Sequence, residues 1–423
     1  MSDHDQSLWL KTCREHVEDR PLSGDLTVDL AVIGGGYTGC SAAMTAAQAG
    51  ASVCLLEAQG IGHGGSGRNV GLANAGLWLP PEDIRAHLGK RAGDRLIDLL
   101  AAAPADVFDL IERHGIDCDP VRNGTLHCAH SASGLQDLQR RHAQLSLTGA
   151  PIELLSVDQT RQRTGSAAFH GALFDPRAGT IQPLGYVRGL ARAAAEAGAR
   201  IVTQCPVQSM QYDNGQWVLK TPHGSVRAKS VIQATNAYHQ DLQDSAPDYV
   251  PVYYFQFFTA PLSDNLRASI LPGAEGCWDT GLVMTSFRMD AEGRLIIGGM
   301  GDLGQAGRAV HAAWCRRKLA ELFPQLSGQS LTQGWHGRIA MTSDHIPKIT
   351  QIGPNALSAH GYSGRGIGPG TVFGRLMAES LLQDDPSLLP VPAVPEYRES
   401  WTALRRAYFE TGATLMHLIK ARF

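Results

Sequence analysis

No two of the eight cysteines (Cys13, Cys40, Cys54, Cys118, Cys128, Cys205, Cys277, Cys315) stand at CxxC spacing, and none belongs to a zinc-ligand pattern. A zinc ribbon and a dithiol redox pair are therefore excluded as readings, no metal is expected, and the thiols read as reduced groups of a cytoplasmic protein. Long apolar runs are missing too. No stretch reaches the roughly 18 uninterrupted apolar residues of a membrane span. The first segment, MSDHDQSLWLKTCREHVEDRPL, lacks both the basic start and the apolar stretch of a secretory signal. Neither export nor a transmembrane anchor is expected. Charge of one sign is also lacking: 37 basic against 40 acidic residues leave a formal net charge of -3. That gives no field to gather nucleic acid or anionic lipid, and Arg316, Arg317 and Lys318 read as a solvated helix face. The sequence holds no G-x-S-x-G elbow and no HExxH helix, so His63, Asp344, His345 and His360 read as structural rather than hydrolytic.

Glycine is plentiful by contrast, with 47 among 423 residues, and it is clustered. The apolar run Val28–Ile33, broken only by Asp29, stops at Gly34, Gly35 and Gly36, which reads as a buried strand meeting a tight turn. Tyr37, Thr38 and Gly39 follow, then small helix formers up to Gly50, a second apolar strand from Ala51 to Leu56, and Glu57. Gly34, Gly36 and Gly39 fill the three positions of G-x-G-x-x-G. The first permits the turn, the second lets a pyrophosphate approach backbone N–H groups, and the third lets helix and strand pack closely. Glu57 follows at the distance of about 20 residues suited to an acid that accepts from ribose hydroxyls. A carboxylate there repels a 2′-phosphate, which favours FAD or NAD over NADP.

Two further glycine clusters separate those cofactors. Gly60-Ile61-Gly62-His63-Gly64-Gly65-Ser66-Gly67-Arg68-Asn69-Val70-Gly71-Leu72 is a loop able to lie against a flat ligand. Far downstream, His360-Gly361-Tyr362-Ser363-Gly364-Arg365-Gly366-Ile367-Gly368-Pro369-Gly370 is a glycine turn feeding a helix, whose free N–H groups suit an electron-rich acceptor. With VIGGGYTG, LLEA and GGSGRNVG in place, the chain resembles the D-amino-acid-oxidase-like family of FAD-dependent amine oxidoreductases, the glycine, sarcosine and γ-glutamylputrescine oxidases among them. The resemblance runs from about Val28 to Leu382.

That resemblance implies an α/β fold: a Rossmann-like FAD-binding domain interleaved with an α+β cap that carries an antiparallel sheet. The cofactor domain is expected from residues 24–85, 152–238 and 338–385, the cap from 86–151 and 239–337, and a helical tail from 386–423. Cofactor contacts are expected at Gly34, Gly36, Tyr37, Thr38, Gly39, Glu57, Ser66, Gly67, Arg68, Asn69, Gly71, Leu72, Val207, Gly364, Arg365, Gly366, Ile367 and Gly368. The returning segment reads Arg338-Ile339-Ala340-Met341, without the cysteine that carries covalent flavin in sarcosine-oxidase-like relatives, so noncovalent FAD is expected.

For the substrate, Trp78 follows the flavin loop, and the alternating stretch Val250–Leu262 offers Tyr253, Tyr254 and Phe255 as pocket candidates, with core packing the alternative. Arg338 is a candidate for holding a substrate carboxylate, with an internal salt bridge the alternative. The expected reaction is oxidation of a C–N bond in a small amine or amino acid, with hydride passing to flavin N5 and the resulting imine hydrolysed by water. No catalytic side chain is assigned. The oxygen-activating lysine of sarcosine-oxidase-like relatives is not evident in Leu295–Gly299, so O2 and a quinone or protein acceptor both stay open. A flavin-binding subunit without turnover is the reading from another class. The tail with Trp401, Leu404, Tyr408, Phe409, Leu415, Met416 and Leu418 reads as an amphipathic helix for core or oligomer packing, with membrane-surface docking the alternative.

Overall fold

The computed structural model describes residues 7–18, 21–239, 242, 248–304, 307–332 and 334–419. The run at Val28 becomes the strand Leu26–Ile33, paired in parallel with Val53–Leu56 on one side and Gly224–Gln233 on the other. Arg200–Val202 and Ala356–His360 extend the parallel set outward. Both faces are covered, which explains the near-continuous apolar runs. Leu30, Val32 and Leu55 face the helices Tyr37–Gln48, Pro183–Glu196 and Ile367–Gln383, whereas Ala31, Ile33, Cys54 and Leu56 face a hairpin side carrying Trp217 and Leu219.

A second eight-stranded sheet runs in the order Trp335–Met341, Val250–Phe258, Leu295–Met300, Thr285–Met289, Gly276–Asp279, Thr125–Cys128, Ala172–Asp175, Glu153–Leu155. Every neighbouring pair is antiparallel except Gly276–Asp279 with Thr125–Cys128. The chain thus passes repeatedly between a Rossmann-like layer and an antiparallel cap, the α/β architecture expected. Its segment boundaries need correction. Glu153–Leu155 and Ala172–Asp175, expected in the cofactor domain, pair into the second sheet, as does Trp335–Met341, most of which was placed with the first.

Register assigns the two faces of that sheet. Gln256 stands opposite Gly298, Gly298 opposite Ser286, Ser286 opposite Trp278 and Trp278 opposite His127, so these residues share one face. Phe255, Phe257, Phe287, Leu295 and Ile297 occupy the other, where they pack with Trp314, Cys315 and Leu319 of the helix Gly307–Leu322. The helix Thr402–Ile419 closes on the same side through His417, whose ring stacks on Trp314 at 4.0 Å. The last four residues of the expected tail helix lie outside the described residues. Among the described residues no helix is long and apolar enough to cross a membrane.

Candidate active site

Between the two sheets lies a cavity of about 530 Å³. Its floor begins at the first turn. Gly34 has φ of +106°, and a Cβ there would meet the Ala234 carbonyl oxygen at 2.8 Å, so the turn demands glycine. At Gly39 a Cβ would stand 1.9 Å from the Gly34 carbonyl oxygen, which is the helix-on-strand contact expected of the third glycine. Gly36 differs: a Cβ would meet only the Ser66 side chain, at 3.0 Å. The helix Tyr37–Gln48 begins there with no side-chain cap and no acid in its first turn. Ser66 Oγ takes the Tyr37 N–H, and the other N–H groups of the first turn are left for an anion.

Glu57 lines the cavity at the end of its strand. Its carboxylate accepts from the Gly35 N–H at 2.6 Å and the Gln59 N–H at 2.8 Å. Burial raises its pKa, and these two N–H groups oppose the shift. Val207 reaches the same end.

The second glycine loop is tied to the first turn through hydroxyl and amide groups. Ser66 Oγ accepts from the Tyr37 N–H at 3.1 Å, and the Tyr37 hydroxyl donates to the Ser66 carbonyl at 2.7 Å. Asn69 Nδ2 donates to the carbonyls of Gly65 and Ser66, while the Asn69 carbonyl accepts from the Trp9 indole at 2.8 Å. Trp9 precedes the stretch that carries the family resemblance, and it anchors this loop all the same. Arg68 and Arg338 both lie over the Tyr238 ring, at 5.4 and 5.1 Å, and the Nε of each is buried without a hydrogen-bond partner among the described residues. Arg338 therefore sits with the cofactor loop. Its neighbour Ile339 faces Gly364 instead.

At the far end the downstream glycine turn closes the cavity through Ser363, Gly364, Gly366 and Ile367. The helix Ile367–Gln383 starts at Gly366, again without a side-chain cap. Thr38 and Tyr362 share a hydrogen bond of 2.8 Å that binds the two glycine turns together. Trp78 lines the cavity beside them.

Several candidates stand elsewhere. Tyr253 and Phe255 point away from the cavity: the Tyr253 ring meets His336, and Phe255 is fully buried against His311 and Trp314. Strand alternation allows only one parity to face the cavity, and it is that of Val252, Tyr254 and Gln256. The Arg365 guanidinium is buried 4.5 Å from Trp78 and 5.1 Å from Trp278, donating to the Ala75 carbonyl, so only its flanking glycines line the cavity. Gly67, Gly71 and Gly368 serve close packing: a Cβ would meet the Gly62 carbonyl at 2.3 Å, the Ile181 carbonyl at 2.1 Å and Ala103 at 3.0 Å, respectively. Leu72 lines the cavity. His345, read as structural, also lines it, whereas Asp344 pairs with Lys348.

Other lining residues were not anticipated: His127, Arg141, Asp279, Met284, Ser286 and Met300. All come from the cap and carry no local motif. Burial, with Arg141 and Arg365 adding to it, pushes the His127 pKa well below the usual histidine range. Arg141 is held by Asp137 at 2.8 Å and donates to the Trp78 carbonyl at 2.6 Å. Among the described residues no cluster of three or more His, Cys, Asp and Glu side chains could hold a metal ion.

This arrangement fits a dinucleotide cofactor with a flat ring: two uncapped helix starts, an open cradle at Gly36, unpartnered guanidinium N–H groups, and a buried acid at one end. A family profile described as "FAD dependent oxidoreductase" matches residues 29–380. The chain belongs to that family.

This FAD-dependent oxidoreductase has sequence relatives along most of its length. A probable oxidoreductase OrdL of Haemophilus influenzae is 30% identical over 404 residues, covering 93% of each chain. The gamma-glutamylputrescine oxidoreductase of Escherichia coli is 30% identical over 420 residues, covering 97% of this chain and 98% of its own. In fold it is similar to the glycine oxidase of Geobacillus kaustophilus, with a TM-score of 0.69 at 21% identity over 85% of this chain and 95% of that one. FAD is accordingly its cofactor.

Proposed function

We propose that this flavoenzyme oxidises a C–N bond of a small amine or amino acid. The observation that carries the reading is the chamber beside the downstream glycine turn. Trp78, Tyr254, Met284, Met300 and Ile339 give it largely apolar walls, and His127 in it is held neutral by burial and by two arginines. The same surroundings favour loss of the ammonium proton from a bound amine, which frees the lone pair needed for oxidation at the adjacent carbon. Bound FAD supplies the hydride acceptor; the protein supplies orientation, desolvation and charge. The names of two relatives, a gamma-glutamylputrescine oxidoreductase and a glycine oxidase, support a nitrogen-bearing substrate.

On this reading Gly34–Thr38, Glu57, Ser66–Asn69, Val207 and Gly364–Ile367 hold the cofactor. No cysteine lines the cavity among the described residues, which supports noncovalent attachment. Trp78 and Tyr254 bound the substrate, and the hydrogen bond between Trp78 and Ser363 holds substrate wall and glycine turn in one register. No side chain is needed as an obligatory base, because the chamber itself selects the neutral amine. The acceptor is O2, giving peroxide, or a quinone or protein partner. Anaerobic mixing with a panel of amines, amino acids, hydroxy acids and NADH, followed by air, tests both parts: amines bleach the flavin, and peroxide yield on aeration identifies the acceptor class.

A further inference from the structure

On the cap side of the cavity a carboxylate has no cation of its own among the described residues. Asp279, at the end of the strand Gly276–Asp279, is 4% exposed and lines the cavity. Its Oδ1 accepts from the Gly281 N–H at 3.0 Å and the Thr285 N–H at 3.0 Å. No Lys, Arg or His among the described residues forms an ion pair with it, and Oδ2 has no hydrogen-bond donor among them. The neighbouring charges are committed elsewhere: Arg141 to Asp137, and Arg365 to the Ala75 carbonyl between two indoles.

A second observation points the same way. Gln256, 1% exposed, lines the same cavity, and its Oε1 has no partner among the described residues. Its strand register places it on the face shared by Ser286 and Trp278, and Asp279, of the other parity, reaches the same cavity from the end of its strand. Two acceptors lining one cavity, Gln256 Oε1 buried and unpartnered and Asp279 anionic, suit a donor that is itself cationic.

The geometry points to Asp279 as the receptor for a positively charged group on the substrate, remote from the C–N bond that is oxidised. This rests on the amine-oxidation reading above. The substrate class is then a diamine, or an amine bearing a second ammonium, with its charged tail at Asp279. The division is physically sensible. The reacting amine has to lose its proton, while the tail keeps its own beside a carboxylate.

Three tails of matched length test this on the holoenzyme: putrescine and cadaverine (cationic), n-butylamine and n-pentylamine (neutral), and the ω-amino acid with a carboxylate in place of the second amine. Apparent Kd values are read from anaerobic flavin bleaching and, independently of turnover, from the rise in melting temperature. The cationic tail should bind roughly 10- to 100-fold more tightly than the neutral one, and the anionic tail least. Asp279→Asn keeps the Oδ1 acceptor for Gly281 and Thr285 but turns the free oxygen into a donor, and it should reduce that preference to within about threefold. Equal binding of all tails, or preference for the anion, overturns the role of Asp279 while leaving amine oxidation standing. Flavin that no amine bleaches, yet dithionite does, overturns the amine reading and this inference with it.

Discussion

The indole N–H of Trp78 donates to the carbonyl oxygen of Ser363 at 2.7 Å, joining the chain just past the first flavin loop to the downstream glycine turn. Trp78→Phe keeps an aromatic wall but removes that donor, a loss of about 1 kcal/mol, or roughly fivefold in an equilibrium constant. We expect FAD to bind about fivefold more weakly and the limiting rate of flavin reduction to fall. Fluorescence titration of flavin-stripped protein and stopped-flow reduction measure the two.

Gly36 and Gly39 separate binding from folding. Gly39→Ala forces a Cβ to within 1.9 Å of the Gly34 carbonyl oxygen, so stripped and loaded protein should both lose stability, by about 1–3 kcal/mol or more. Gly36→Ala meets only the Ser66 side chain, at 3.0 Å, and fills the cofactor cradle. The stripped protein should melt within a few degrees of wild type while FAD affinity drops about tenfold or more. Melting curves with and without FAD distinguish the two outcomes.

The parity of the Val250–Phe258 strand makes a paired prediction. Phe255→Ala opens a void among His311, Trp314 and Phe257 and should cost about 3–5 kcal/mol of stability. Its effect on the KM for amines should be small in the folded fraction. Tyr254→Phe should do the reverse: it removes a hydroxyl within 3.0 Å of Ser286 Oγ in the cavity wall and shifts KM more than stability. Denaturant melts and steady-state kinetics, run on both variants, check the contrast.

These assignments show what the sequence carried and what it did not. Gly34, Gly36, Gly39 and Glu57 were legible because a strand, turn, helix and acid occur in order within one short segment, each with its own steric or electrostatic purpose. The downstream turn at Gly361–Gly370 was legible for the same reason. The roof was not. Alternation says that neighbours in Val250–Phe258 face opposite ways, but not which parity meets the cavity, and naming three consecutive residues could not be right for all of them. A usable signal existed: Gln256 is the polar residue among aromatics, and polar groups in a cap strand belong on the ligand side. His127 and Asp279 lay beyond reach, since only the parallel pairing of Gly276–Asp279 with Thr125–Cys128 brings their segments together. The domain bounds failed similarly, because Ala172–Asp175 joins the cap through pairing with Thr125–Cys128.

His311 and His417 couple stability to pH. Their Nδ1 atoms lie 2.8 Å apart in a buried pair, one ring donating and the other accepting, so at least one ring must be neutral. Burial pushes His311 down to about 4 from the ordinary 6.5, and burial, His311 and Arg317 push His417 to about 3. The folded protein then binds fewer protons than the unfolded chain below pH about 6.5. Stability rises with pH through that window and is lost as pH falls from about 6.5 toward 3. His417→Gln should flatten this slope, measured as unfolding free energy against pH, even though it weakens the helix contact itself.

Oxidation of C–N bonds is read out by anaerobic titration of the holoenzyme with matched amines and hydroxy acids, following the flavin absorbance. Amines that carry hydrogen on the carbon next to nitrogen should bleach the flavin, and the corresponding hydroxy acids should not. Bleaching by hydroxy acids or NADH alone would contradict it.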